Sequence, residues 1–153
     1  MKDIKMYGYK YNDNGEIVID EEEAKYVRII FDLAGNYKLV PSEIAEFLNG
    51  TYTIVEIISN RIADVIELIS KYDKNKAKIL ENYNNKEVLN NDNLIQKKLI
   101  IPLLEWKQSN LDLDIIDNVD NLITLLKNKD ELIDKYSNLE KNIFSTKNNM
   151  DLN

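Results

Sequence analysis

From Thr51 to Glu81 the chain reads TYTIVEIISNRIADVIELISKYDKNKAKILE, with neither glycine nor proline to stop a helix. Apolar residues recur through it and just beyond at alternating steps of three and four: Val55, Ile58, Ile62, Val65, Ile69, Tyr72, Ile79 and Tyr83, interrupted at Lys76. That spacing lines one face of a helix. A second series, Leu122, Leu125, Leu132, Tyr136, Leu139 and Ile143, is interrupted at Lys129. The expectation is a helix from near Thr53 that runs past Tyr72 without a break, then a C-terminal helical hairpin or bundle. The two stripes can pair inside one chain as an antiparallel coiled coil, or between two chains as a homodimer.

Upstream, YGYKYNDNGEIVI over residues 7–19 has the alternation of a small strand pair. Asn14-Gly15 is a strong turn signal, and Ile17, Val18 and Ile19 form a β-branched return strand. Asp20 suits the N-cap of a first helix, with Glu21, Glu22 and Glu23 where the helix dipole favours negative charge. Ala24, Val27, Ile30, Phe31, Leu33 and Ala34 are its expected apolar face, and Gly35-Asn36 its expected end. Pro41 begins a second helix that buries Ile44, Ala45, Phe47 and Leu48; Asn49-Gly50 closes it, and Thr51 or Thr53 caps the third. The architecture expected is mainly α: a hairpin and a helix-turn-helix-like trio over residues 1–61, then a helical extension over 62–153.

Beyond the long helix, NYNNKEVLNNDN reads as a polar loop and LIQKKLIIPLLEWKQ as an apolar helix begun or kinked at Pro102. NLDLDIIDN, with acids at 112, 114 and 117, reads as a solvated face or loop. The terminal STKNNMDLN reads as frayed.

Composition excludes several chemistries. With no Cys there is no disulfide, thiol nucleophile or cysteine-held zinc, and with no His the commonest neutral-pH base and metal ligand is missing. No phosphate-cradling glycine loop occurs, and the acidic runs lack the pattern of a calcium loop. Neither metal nor cofactor is expected. No apolar run is long enough to span a bilayer, so an intracellular, cytoplasmic protein is expected. The net charge of −7 gives no field to attract nucleic acid. Residues 1–49 carry 6 Lys and Arg against 10 Asp and Glu.

Three segments, YGYKYNDNGEIVIDEEEAKYVRIIFDL, SEIAEFLN and TIVEIISNR, stand in an order and spacing that resemble the recombinase domain of large serine recombinases, a DNA-binding domain. The resemblance covers residues 7–61. It implies a hairpin followed by three helices, the third entering the DNA groove. The departures are specific. The family's catalytic domain would precede Met1, its zinc ribbon needs cysteines, and its basic linker before the third helix is reduced to Gly50, Thr51 and Tyr52. Where a groove reader carries Arg, Lys, Asn or Gln, this chain has Thr51, Tyr52, Thr53 and Glu56. Asn60 and Arg61 follow only two turns later.

The expectation is a non-enzymatic phage or mobile-element protein acting in the bacterial host cytoplasm. It would regulate or inhibit a nucleic-acid-processing complex through protein contacts, as anti-CRISPR and other anti-defence proteins do, with weak or no DNA binding. Expected partner-binding residues are Glu21, Glu22, Glu23, Glu56, Asp112 and Asp114 as charges and Tyr52 as anchor. The alternative is a DNA-binding regulator or the remnant of a recombinase.

Overall fold

The computed structural model describes residues 6–81, 86–109 and 112–151. A two-stranded antiparallel hairpin, β1 (Tyr9–Tyr11) and β2 (Ile17–Ile19), precedes helices α1 (Glu21–Tyr37), α2 (Pro41–Leu48) and α3 (Ile54–Ser70). Then come α4 (Lys74–Glu81), α5 (Lys86–Leu89), α6 (Asp92–Ile95), a π-helical turn (Gln96–Ile100), α7 (Ile101–Gln108), α8 (Leu113–Lys127) and α9 (Lys129–Asp151). The fold is mainly helical with one small hairpin at its start, as the sequence patterning requires.

The core is one cluster that runs from Leu33 to Tyr136, and α3 is at its centre. Ile54, Ile57, Ile58, Ile62, Val65, Ile66 and Ile69 are all buried, and α8 and α9 pack against this helix. The two apolar stripes therefore meet inside one chain. A dimer built on the same seam would have to dismantle the core. The boundary expected between residues 61 and 62 falls inside α3, and one core serves both sides of it.

The expectation of an unbroken third helix fails at Ser70. The Asp73 carboxylate accepts the Lys76 amide at 3.0 Å and starts α4 afresh, so Tyr72 lies in the exposed junction. The stripe resumes out of phase on Ala77 and Leu80; Tyr83 lies outside the described residues. An aspartate N-cap ended the helix where neither glycine nor proline did. The interruption of the second stripe, Lys129, does fall at a junction, with Asn128 as the C-cap of α8. Lys129 is buried and bridges Asp130 at 2.6 Å and Asp92 of α6 at 2.9 Å. Burial works against its charge, but those carboxylates outweigh it and raise its pKa.

Three further expectations are corrected. First, α1 does not end at Gly35-Asn36 but continues to Tyr37, with Lys38 in the left-handed conformation (φ 61°) as its cap. Glycine inside a helix costs about 1 kcal/mol relative to alanine; burying a tyrosine ring contributes more, and Tyr37 is buried. Second, the loop expected from Asn82 to Asn93 contains helical turns, and Leu89 within it is buried. Residues 82–85 lie outside the described part. Third, the C-terminal segment is helical to Asp151. The apolar stretch around Pro102 is helical as expected. The π turn just before it lets the Ile101 amide reach the Gln96 carbonyl, easing the chain past a residue that has no amide hydrogen.

A polar seam joins α1 to α9. The Tyr37 hydroxyl donates to Glu131 at 2.9 Å and the Tyr136 hydroxyl donates to Asp32, which also pairs with Lys135 at 2.8 Å. The Tyr136 ring meets Phe47 edge-on, with centroids 6.3 Å apart. Burial, then the Glu131 carboxylate, push the Tyr37 phenol up to about 12; burial and Asp32 raise Tyr136 as well. Folded-state values above the unfolded one mean that this stabilisation is whole below about pH 10 and is lost as pH rises through the folded values. In an alkaline absorbance titration, the steps removed by Tyr37→Phe and Tyr136→Phe should lie at about pH 12 and above. Loss of a step near pH 10 would show that the seam is not formed.

Candidate functional site

The hairpin is built around Gly8 and Asn12. The Asn12 side chain accepts the amides of Asn14 and Glu16 at 3.0 and 2.9 Å, and Gly15 takes a positive φ of 78°. Asn14 does not, so the turn is a three-residue loop with glycine at the left-handed position rather than a two-residue Asn-Gly turn. Gly8, also at positive φ, donates its amide to the Glu23 carboxylate at 3.0 Å and accepts the Asp20 amide at 2.8 Å. A side chain at Gly8 would reach Val27 at 3.5 Å. The ribbon is thereby fastened to the first turn of α1.

Tyr9 pairs with Ile19 and Tyr11 with Ile17, so all four side chains share one face. All four are exposed, although such alternation ordinarily marks a strand with one face buried. A groove lined by Tyr7, Tyr9, Ile19, Ala24, Val27 and Arg28 runs from the ribbon onto α1. One turn beyond Val27, Phe31 is 73% exposed with Ile30 beside it. Both had been expected in the core, as had Ala34 and, on α2, Ala45, which are also exposed. The buried side of α1 is Ala24 and Leu33, both expected there, together with Tyr37. This aromatic and aliphatic face is the feature that sequence reasoning missed. Its signal was a surplus: α1 carries more apolar positions than one helix face can hold.

The residues expected to contact a partner sit at three helix starts. Asp20 caps α1 through the amides of Glu22 and Glu23. Glu21 and Glu22 are exposed beside the ribbon, and Glu21 lies 3.6 Å from Arg28; an ion pair this exposed contributes little. Glu23 is half-buried and its carboxylate accepts the Gly8 amide. Glu56 forms a reciprocal capping box with Thr53, both backbone bonds at 3.2 Å, rather than standing free for a partner. Tyr52 is half-buried in the turn before α3 and packs on the core. Asp112 is the exposed N-cap just before α8, accepting the Asp114 and Ile115 amides, and Asp114 is exposed in the first turn of that helix. Only Glu21 and Glu22 belong to the hairpin surface.

The start of α3, where a groove-reading helix would approach DNA, is occupied by α9. Glu140 accepts the Ile54 amide at 2.8 Å, and Lys147 donates to the Gly50 carbonyl at 2.9 Å. A Cβ at Gly50 would come within 3.3 Å of both Ile143 and Lys147. The residues that α3 exposes are Asn60, Asp64 and Glu67. Arg61, the one base on that helix, is buried. Its Nε donates to Glu43 at 2.9 Å, and Nη2 donates to Glu43 and, at 3.0 Å, to the Lys38 carbonyl. Among the described residues no group of three or more acids could hold a metal, and no helix is long and apolar enough to cross a membrane. No family model matches this chain, and neither a curated protein nor a solved structure matches it.

Proposed function

We propose that this chain is a non-enzymatic binding protein of a phage or mobile element. It acts in the bacterial cytoplasm and inhibits or regulates a nucleic-acid-processing protein complex, as anti-CRISPR and other anti-defence proteins do. In this reading a recombinase-domain-like scaffold is reused, with protein contact in place of DNA contact. The observation that carries it is the exposed face of Tyr7, Tyr9, Tyr11, Ile17, Ile19 and Phe31. Aromatic anchors supply most of the lifetime of protein complexes, and a contiguous apolar face is a common mark of an interaction site. Glu21 and Glu22, with Asp13 and Glu16 in the hairpin loop, place exposed negative charge around it. A partner with a basic surface, such as a nucleic-acid channel, complements that rim. The alternative of a DNA-reading regulator draws no support from α3, whose start is covered and whose exposed residues are neutral or acidic.

The test is capture of a partner from the host by the tagged full chain, followed by binding measurements on the purified pair. Phe31→Asp and Ile19→Asp should each weaken binding by about 30-fold or more, the scale of a hot-spot residue, mainly through faster dissociation. Glu21→Lys with Glu22→Lys should slow association and flatten its salt dependence. Binding unaffected by these substitutions would remove the hairpin surface from the reading. Sub-micromolar binding to duplex DNA at physiological salt would replace it with the regulator.

A further inference from the structure

A second concave site lies among α2, α3 and α8, apart from the hairpin surface. Its volume is about 500 Å³, within the span of ligand pockets, roughly 300–1,000 Å³. Ile57, Val65 and Leu68 give it an apolar floor, and Tyr52 lines it too. Glu46, Asp64, Asn60, Asn118 and Asn121 supply convergent polar groups. The Arg61 guanidinium also lines it, with its side chain only 10% exposed. Nε and Nη2 are engaged by Glu43 and the Lys38 carbonyl; among the described residues nothing accepts from Nη1. Nor, among those residues, does any hydrogen bond or ion pair hold the Asp64 or Glu46 carboxylate. Partial desolvation against the cleft wall, then the charges of Glu43 and Glu67, raise the pKa of the otherwise exposed Asp64, and Arg61 offsets them only in part. The cleft therefore combines two carboxylates that no hydrogen bond or ion pair among the described residues engages, an apolar floor and, on a side chain only 10% exposed, one guanidinium nitrogen that no described residue accepts from.

We infer that this cleft receives an arginine of a partner's peptide chain. Its guanidinium sits on Asp64, Glu46 and the asparagine amides, its methylenes lie on Ile57, Val65 and Leu68, and its backbone carbonyl accepts from Arg61 Nη1. A planar fork of five donors uses several separated acceptors at once, which a compact ammonium does not. The inference is independent of the hairpin surface and can fail while that surface stands.

The experiment needs no partner. The full chain is titrated with N-acetyl-arginine amide while the side-chain amide signals of Asn60, Asn118 and Asn121 are followed by NMR. Saturable shifts with a Kd of about 1 mM are expected, the range of a single small contact. N-acetyl-glycine amide and sodium chloride at equal ionic strength should give none. Asp64→Asn with Glu46→Gln should weaken binding at least tenfold; Asp64→Asn alone, at an exposed position, is the fallback if the pair lowers the melting temperature. Butylguanidinium, which keeps the guanidinium and its methylenes at the same single charge and lacks the carbonyl, should bind several-fold more weakly. Absence of saturable shifts, or affinity unchanged in the variants, overturns the site. Equal binding of butylguanidinium overturns the carbonyl contact, and equal binding of N-acetyl-lysine amide overturns the choice of arginine.

Discussion

Arg61→Ala should destabilise the protein by about 3–5 kcal/mol, the usual loss when one member of a buried ion pair is removed. At roughly 2–4 °C per kcal/mol for a chain of this size, the melting temperature should fall by about 10 °C or more. The reason is Glu43. Its side chain is 12% exposed, and its Oε1 also accepts the Val40 amide at 2.9 Å at the start of α2. Without Arg61 that carboxylate loses its counter-charge in a place that water barely reaches, and the Lys38 carbonyl loses a donor. The pair fastens three things at once: the left-handed turn after α1, the start of α2 and the middle of α3. A guanidinium kept to touch DNA would behave differently, since its loss would leave stability intact. Glu43→Leu combined with Arg61→Met should recover most of the loss, because an apolar pair of similar volume avoids both desolvation costs. Urea denaturation of the two single variants and the double variant gives the coupling energy directly. A coupling below about 0.5 kcal/mol would show that the two side chains are independent.

Arg61 also shows where the sequence stopped being legible. Glu43 and Arg61 stand 18 positions apart, and no local pattern announces that they meet. What could be read was local. Asp20, Pro41 and Thr53 start their helices where capping chemistry puts them, and Asn49-Gly50 ends α2. The stripes on α3 and on α8–α9 were legible because one buried side per turn leaves a period. α1 was misread because it has apolar residues on two sides, and only the tertiary arrangement decides which side is covered. Leu33 and Tyr37 went inward, while Phe31 stayed out. The acids expected to bind a partner were conspicuous because they stand at helix starts, and three of the six serve the backbone there. Helix starts attract carboxylates, and the Glu23, Glu56 and Asp112 carboxylates each accept backbone amides. The cleft among α2, α3 and α8 left no trace in the sequence, because its lining comes from positions 40–121.

Ile62→Asp should unfold much of the population, whereas Tyr72→Asp should change little. Both positions belong to one heptad series, so the contrast tests where the seam ends. Ile62 is at 0% exposure, in the middle of the helix around which the core is built. Loss of its methyl groups resembles a truncation to alanine, about 2–5 kcal/mol. The carboxyl must in addition be buried without a partner or take up a proton, for roughly 2 kcal/mol more. The total, about 4 kcal/mol or above, approaches the whole stability of an ordinary domain, roughly 5–15 kcal/mol. Ile69, equally buried, should respond in the same way. Tyr72 is 59% exposed in the junction between α3 and α4, held by backbone bonds to Ile69 rather than by its ring. A substitution there should stay within about 0.5 kcal/mol. Thermal melts read by circular dichroism separate the cases. If Tyr72→Asp destabilised as strongly as Ile62→Asp, the helix would continue past Ser70 with Tyr72 in its seam, and the capped start of α4 at Asp73 would be wrong.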